Sequence, residues 1–230
     1  MAISQVGSAV ASTYSSTQSP VMTLPSGLAA DDVLVYAVAS STSHATTAPT
    51  NHTKIGHADS GGADFGMSVF HYTVTGSEGS SITLTNILDS SESGFVVCAA
   101  WRGVDTSAIV DASAIQGFSA STSVTAPSIT PSVDDCMILM ITGADPSSSH
   151  VQLATPDASP VATEIYDSED GNNLAYCHYQ YYQQSTAAAI QLNATLDFSD
   201  NHVCCQVALT TGAGGGPTPR FPHLSLLGVG

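Results

Sequence analysis

Several runs in this chain hold residue types at spacings that could do chemistry. Asp59-Ser60-Gly61-Gly62 sets a serine hydroxyl beside a carboxylate and two glycines, the run found around serine-protease nucleophiles. A triad of that kind draws its His and Asp from an upstream barrel, and only 59 residues precede Ser60. A tight turn between strands accounts for the glycines, and no Gly-x-Ser-x-Gly elbow is present. There are eight histidines: His52 and His57 are five apart, His44 stands alone, and His71 and His178 fall at matching places in an internal repeat. Without a His-x-His, His-Glu-x-x-His or Cys-x-x-Cys pattern, no zinc motif is expected. His71 and His178 are read as equivalent structural residues. Asp167-Ser168-Glu169-Asp170-Gly171-Asn172-Asn173 concentrates oxygen ligands, which makes Asp167, Asp170 and Asn172 weak calcium candidates. The run lacks the twelve-residue spacing of an EF-hand, so a solvated hairpin turn is the simpler expectation, with Asp59 to Asp64 as its sparser counterpart. A depolymerase-type reaction would need paired carboxylates. Glu164 and Asp167 are candidates that sequence alone cannot pair. Tyr176, Tyr179, Tyr181 and Tyr182 lie on one strand-like run with His178 and the pair Gln183-Gln184. Alternation puts Tyr179 and Tyr181 on the face opposite Tyr176, His178 and Tyr182, one face core and the other edge or interface. Tyr179 and Tyr181 are the candidate glycan contacts. No catalytic residue and no cofactor is assigned.

The elements that would position these residues repeat. Asp31-Asp32-Val33-Leu34-Val35 has a counterpart in Asp134-Asp135-Cys136-Met137-Ile138, displaced by 103 positions (31 to 134). Met67 to Tyr72 aligns with Leu174 to Tyr179 at 107, Ile82-Thr83-Leu84-Thr85 with Ile190-Gln191-Leu192-Asn193 at 108, and Phe95 to Ala100 with Val203 to Ala208 at 108. The apolar framework recurs and most of the polar side chains between do not. Strands are expected at about 32–40, 66–75, 80–87, 94–102, 123–130, 134–143, 160–166, 173–183, 187–197 and 202–211, bounded by Gly, Pro, Asp or Ser. Val33 to Val38 and Val203 to Leu209 are continuously apolar, as strands covered on both faces would be. The expected fold is all-β, an antiparallel β-sandwich or jelly roll with an internal pseudo-repeat and an extended C-terminal tail. Residues 1–27 form an N-terminal arm or edge strand, and 28–212 the sandwich, with repeat halves at about 28–110 and 124–212. A single pseudo-symmetric sandwich is expected, with strands from both halves; two tandem sandwiches are the alternative. Residues 213–230 open on Gly214-Gly215-Gly216-Pro217 and form a Gly-hinged tail. Its apolar residues Phe221, Leu224, Leu226 and Leu227 are the expected interface anchors in a neighbouring subunit.

With 19 acidic residues against 3 basic ones the formal net charge is −16, and the only cations, Lys54, Arg102 and Arg220, are scattered. Direct nucleic-acid binding requires clustered Lys or Arg, so none is expected. The same charge disfavours anionic membrane surfaces. No apolar run approaches the roughly 18 residues that span a bilayer, and Met1 to Gly7 lacks the basic and apolar regions of a secretory signal. Five cysteines, an odd number, all lie in apolar strand-like runs, as buried free thiols of a protein made in a reducing cytoplasm would.

Four stretches carry a family resemblance: Asp-Asp-Val-Leu-Val (31–35), Val-Phe-His-Tyr-Thr-Val-Thr-Gly-Ser-Glu (69–78), Ala-Trp-Arg-Gly-Val-Asp-Thr-Ser (100–107) and Ala-Pro-Ser-Ile-Thr-Pro-Ser-Val-Asp-Asp (126–135). In these the chain resembles β-sandwich structural proteins and modules in virions of tailed bacteriophages, over roughly residues 25–212. The resemblance implies a non-enzymatic virion component, made in the host cytoplasm and carried as head decoration or in the tail and its fibres. The implied partners are other virion proteins and further copies of the chain; a host glycan is the partner if it acts instead as a receptor-recognition module. The resemblance transfers no catalytic residue, and the tail lies outside it.

Overall fold

Thirteen strands account for the regular structure of the computed structural model, which describes residues 2–42, 46–62, 65–144, 154–156, 160–169 and 176–212. In the first half these are β1 (Ser4–Thr17), β2 (Val21–Thr23), β3 (Val33–Ser40), β4 (Thr53–Asp59), β5 (Gly66–Thr73), β6 (Ser81–Thr83) and β7 (Glu92–Arg102). In the second they are β8 (Val110–Thr125), β9 (Cys136–Ala144), β10 (Ala154–Pro156), β11 (Thr163–Glu169), β12 (Tyr176–Gln184) and β13 (Asn193–Leu209). The described residues contain no helix, and so none long and apolar enough to cross a membrane. The proposed tail anchors Phe221, Leu224, Leu226 and Leu227, and the calcium candidates Asp170 and Asn172, lie outside the described residues.

Each half of the chain builds one antiparallel sheet. The first has the order β1-β7-β3-β5-β4; the second runs β11-β12-β9-β13, with β8 along the far side of β13 and β10 pairing with the start of β13. β1 and β8, β7 and β13, β3 and β9, β5 and β12, β4 and β11 therefore occupy equivalent places. The sheets pack face to face as a β-sandwich. Val35, Met67 and Trp101 of one meet Leu139, Tyr179 and Val207 of the other in a shared core. β4 lies against β8 and β1 against β11. Exchanging the halves turns one of these pairings into the other, the signature of a pseudo-two-fold axis.

A further layer covers each sheet's outer face. In the first half the β2–β6 pair brings Met22, Leu24, Leu84 and Ile87 against Leu34, Tyr36, Phe70 and Val96. In the second, Val124, Ile129, Ile190, Leu192 and Leu196 cover Ile138, Met140, Tyr176 and Cys204. The central strands are thus dry on both sides, which is why β3 and the end of β13 can be apolar without alternation. All five cysteines are free and buried within these strands. Residues 1–27 are not a detached arm, since β1 is an edge strand laddered to β7.

The register corrects two of the displacements, 103 for β3/β9 and 107 for β5/β12. Val33 pairs with Trp101 and Thr73, and Met137 with Leu209 and Gln183. The halves therefore superpose at displacements of 104 for β3/β9, 108 for β7/β13 and 110 for β5/β12. Asp31 and Asp135, both at positive φ (69° and 60°), mark the same turn before β3 and β9. At 110 the counterpart of His178 is Ser68. His71 lies opposite Val35 on the inner face, whereas His178 lies opposite Thr142 on the outer one. His71 and His178 are not equivalent: an odd shift in register carries a strand's side chains to the other face.

Candidate functional site

The superposed positions Ser68 and His178 each seat a polar cluster between an edge strand and its neighbour, beneath the outer layer. In the first half, Ser68 on β5 is paired with His57 on β4. The Thr46 and Ser68 hydroxyls are 2.7 Å apart, Ser68 Oγ is 2.8 Å from His57 Nδ1, and His57 Nε2 is 3.3 Å from Asp59 Oδ1. The order hydroxyl, imidazole, carboxylate is that of a nucleophile relay. Ser68, however, is fully buried and already engaged by Thr46, so no substrate carbonyl reaches its oxygen. The cluster acts as a polar staple across β4 and β5. Ser60 of the Asp-Ser-Gly-Gly run is also buried. Its amide bonds to Phe65 in the turn between these strands, in keeping with the structural reading of the glycines.

In the second half, His178 on β12 is paired with Asp167 on β11, and a bulge between Glu164 and Tyr166 brings Glu164 to the same side. His178 Nδ1 is 3.8 Å from Glu164 Oε2 and 3.9 Å from Asp167 Oδ1, and one ligand-type atom from each of the three lies within 4.8 Å of the others. The carboxylates that sequence could not pair are therefore neighbours. Tyr176 donates a short hydrogen bond to Asp167 Oδ1 and fixes that carboxylate. The His178 ring is fully buried, yet neither of its nitrogens has a hydrogen-bond partner. Thr142, opposite it on β9, donates to Cys204 Sγ instead. Burial lowers the His178 pKa to about 4 against the opposing polar influence of the Gln180 side chain, which does not reach hydrogen-bond geometry, so the ring is neutral at pH 7. Burial and then the Asp167 charge raise the Glu164 carboxyl. Two carboxylates and a neutral imidazole can hold a cation, or share a proton in acid.

A groove of about 520 Å³ opens on the first half, lined by Thr47 to His52, Tyr72, Glu78, Ile82, Thr83, Thr85 and Asn86. His52 stacks on Tyr72, with ring centroids 4.4 Å apart and planes 21° apart, and its Nδ1 lies 2.6 Å from the Tyr36 hydroxyl. Tyr36 is buried and holds its proton well above the usual range, so it donates to His52. Burial, then the charge of His71, lowers His52 to about 4. Burial would raise Glu78, but hydrogen bonds from the Thr75 hydroxyl and amide and the Tyr72 hydroxyl outweigh it and bring the carboxyl down to about 2.

The folded His52 pKa lies below the unfolded value near 6.5. Its contribution is therefore complete above pH 6.5 and is lost as pH falls towards 4. With the ring only partly buried, the shift is discounted to about 1–2 kcal/mol. The His52 C2 proton should titrate by NMR with a midpoint near 4, and urea stability should decline across the same interval. A midpoint at 6.5 would contradict the burial of the His52 ring.

The glycan candidates Tyr179 and Tyr181 require correction. Tyr179 is fully buried and accepts a 3.3 Å hydrogen bond from Trp101 Nε1; Tyr181 packs edge-on against Trp101 at 5.3 Å. Both point between the sheets, where burial closes Tyr179 to any sugar, while Tyr181 is packed against the core and only partly buried. Alternation assigned their shared face, but both faces of β12 are covered. The groove's own lining carried no signal in the sequence, because its residues come from three separate segments.

No family model, no curated protein and no solved structure matches this chain.

Proposed function

We propose that the chain is a non-enzymatic structural protein of a tailed-bacteriophage particle, a β-sandwich on the particle exterior as capsid decoration or as a tail-associated module. Inter-subunit contacts that include residues 213–230 hold it there. One observation supports the reading above the others: the apolar residues form a framework covered on both faces and duplicated about a pseudo-two-fold axis. Such a body resists deformation and leaves a Ser/Thr-rich, acidic exterior suited to display. The resemblance segments belong to this framework, in β3, in β5 and its following turn, at the end of β7, and between β8 and β9.

The test is incorporation. In a phage cross carrying tagged copies, the full chain should co-purify with particles through a density gradient. A chain lacking 213–230 should fold, by circular dichroism and melting, yet remain in the soluble fraction. Equal incorporation of the truncation would overturn the attachment proposed for the tail, and exclusion of the full chain from particles would overturn the whole reading. The second reading is a carbohydrate-binding receptor-recognition module. The His52–Tyr72 stack in a groove with Glu78, Asn86 and threonines favours it, since aromatic faces flanked by hydroxyl and carboxylate groups suit sugars. Glycan binding abolished by Tyr72→Ala would favour that reading.

A further inference from the structure

Ser68 and His178 occupy equivalent places, but their clusters are completed differently. In the first half a chain of hydroxyls engages the half-buried imidazole of His57. In the second, the imidazole is itself the buried group, has no hydrogen-bond partner, and presents Nδ1 to two carboxylate oxygens. A neutral, fully buried ring with both nitrogens unsatisfied costs free energy unless something engages it. At 3.8 and 3.9 Å neither carboxylate oxygen is close enough to accept from an Nδ1–H, and when ionised neither has a proton to donate to the ring's acceptor nitrogen.

We infer that Glu164, Asp167 and His178 form a binding site for a divalent first-row transition ion, with Zn²⁺ as the reference case, that staples edge strand β11 to β12. Such ions bind imidazole nitrogen and carboxylate oxygen at about 2.0–2.2 Å, which sets ligand atoms about 3.4 Å apart around a tetrahedral centre. The distances of 3.8 and 3.9 Å from His178 Nδ1 need only a small inward movement of the two carboxylates. Tyr176 holds Asp167 as an outer-sphere hydrogen bond would, fixing the ligand before metal arrives. Glu164, with 40 % of its side chain exposed, is the mobile ligand and marks the way in from solvent. A nitrogen donor at the closed end selects against calcium and magnesium, which take oxygen ligands.

The experiment is calorimetric titration of the full chain, stripped with chelator, with ZnCl₂, MnCl₂ and CaCl₂. One Zn²⁺ per chain should bind, at least tenfold more tightly than Ca²⁺, and raise the melting temperature. Glu164→Gln, at a half-exposed position that folding tolerates, should weaken Zn²⁺ at least tenfold. Asp105→Asn, a carboxylate held in its own turn by Ser107, should leave it unchanged. The His178 ring nitrogens, followed by ¹⁵N NMR in the unmutated protein, should shift on Zn²⁺ addition, so the assignment does not depend on a buried substitution folding. The site is overturned by any of three results: no stoichiometric Zn²⁺ binding, Zn²⁺ affinity indifferent to Glu164→Gln, or an unshifted His178 ring. Calcium bound as tightly as zinc overturns the assigned metal class.

Discussion

Trp101→Ala should remove about 3–5 kcal/mol of stability, the largest loss expected from any single side chain here. Trp101 is fully buried on the inner face of β7, directly between the sheets. Its ring meets Tyr181 edge-on at 5.3 Å and Tyr179 at 6.4 Å, and its Nε1 donates to the Tyr179 hydroxyl at 3.3 Å. Truncation opens a cavity where two rigid sheets meet, and neither can collapse into it, because each is also held from its outer side. It further leaves the buried Tyr179 hydroxyl without its donor. Against a typical domain stability of about 5–15 kcal/mol, that is roughly a fifth or more of the total. Since Trp101 is the only tryptophan, unfolding should be followed by circular dichroism rather than fluorescence. The urea midpoint should fall with the slope unchanged. Trp101→Phe should cost much less, as it keeps most of the apolar volume and gives up the indole N–H. A loss below about 1 kcal/mol for the alanine variant would mean that the sheets do not depend on this contact.

How far the sequence foretold this arrangement depended on which side of a strand carried the signal. β3 and the end of β13 were legible as doubly covered strands because nothing polar interrupts Val33 to Val38 or Val203 to Leu209. The duplication was legible from the same runs, and the displacement of 108 for β7 and β13 agrees with their pairing in the sheets. β4 was not, because Thr53 to Asp59 is an edge strand whose inward Gly56 and Ala58 are small. A Cβ on Gly56 would lie 2.6 Å from Ile115 Cγ2, so the close approach of β8 forbids the bulky residues that announce a strand. The first part of β8 was hidden for the same reason: a Cβ on Gly117 would sit 1.7 Å from the Asp59 carbonyl oxygen. The site was harder still. Equating His71 with His178 needed a displacement of 107, whereas the strands superpose at 110. The difference accumulates in connections of unequal length, where no apolar pattern records it. Glu164 and Asp167 were visible as carboxylates, but only the bulge in β11 turns both towards His178.

Gln206→Leu should cost about 2–4 kcal/mol, although it replaces a polar residue by an apolar one of similar size in a fully buried place. The reason lies in how the two outer layers are fastened. In the first half, β2 and β6 form a regular ladder of three residue pairs from Val21–Thr83 to Thr23–Ser81. The equivalent segments of the second half form no such ladder: they meet at the isolated bridge between Ile129 and Ile190 and through the Ala126 amide, which donates to the Leu192 carbonyl. There the Gln206 side chain completes the connection from beneath. Its Oε1 accepts from the Leu192 amide at 2.7 Å and its Nε2 donates to the Ile190 carbonyl at 2.8 Å, as a neighbouring strand would. Its counterpart at a displacement of 108 is Cys98, a small apolar side chain beneath a layer that has its own ladder. Leucine fills the volume but leaves the buried Leu192 amide with no acceptor and takes one donor from Ile190. The loss should show as a lower urea midpoint and as faster amide hydrogen exchange at Leu192, local to the outer layer. Cys98→Ser, at the equivalent place, should leave exchange in the β2–β6 layer almost unchanged, because no backbone group there depends on that side chain. Protected exchange at Leu192 in the Gln206→Leu protein would show that the layer is held by apolar contact alone, and the amide's role would fall with it.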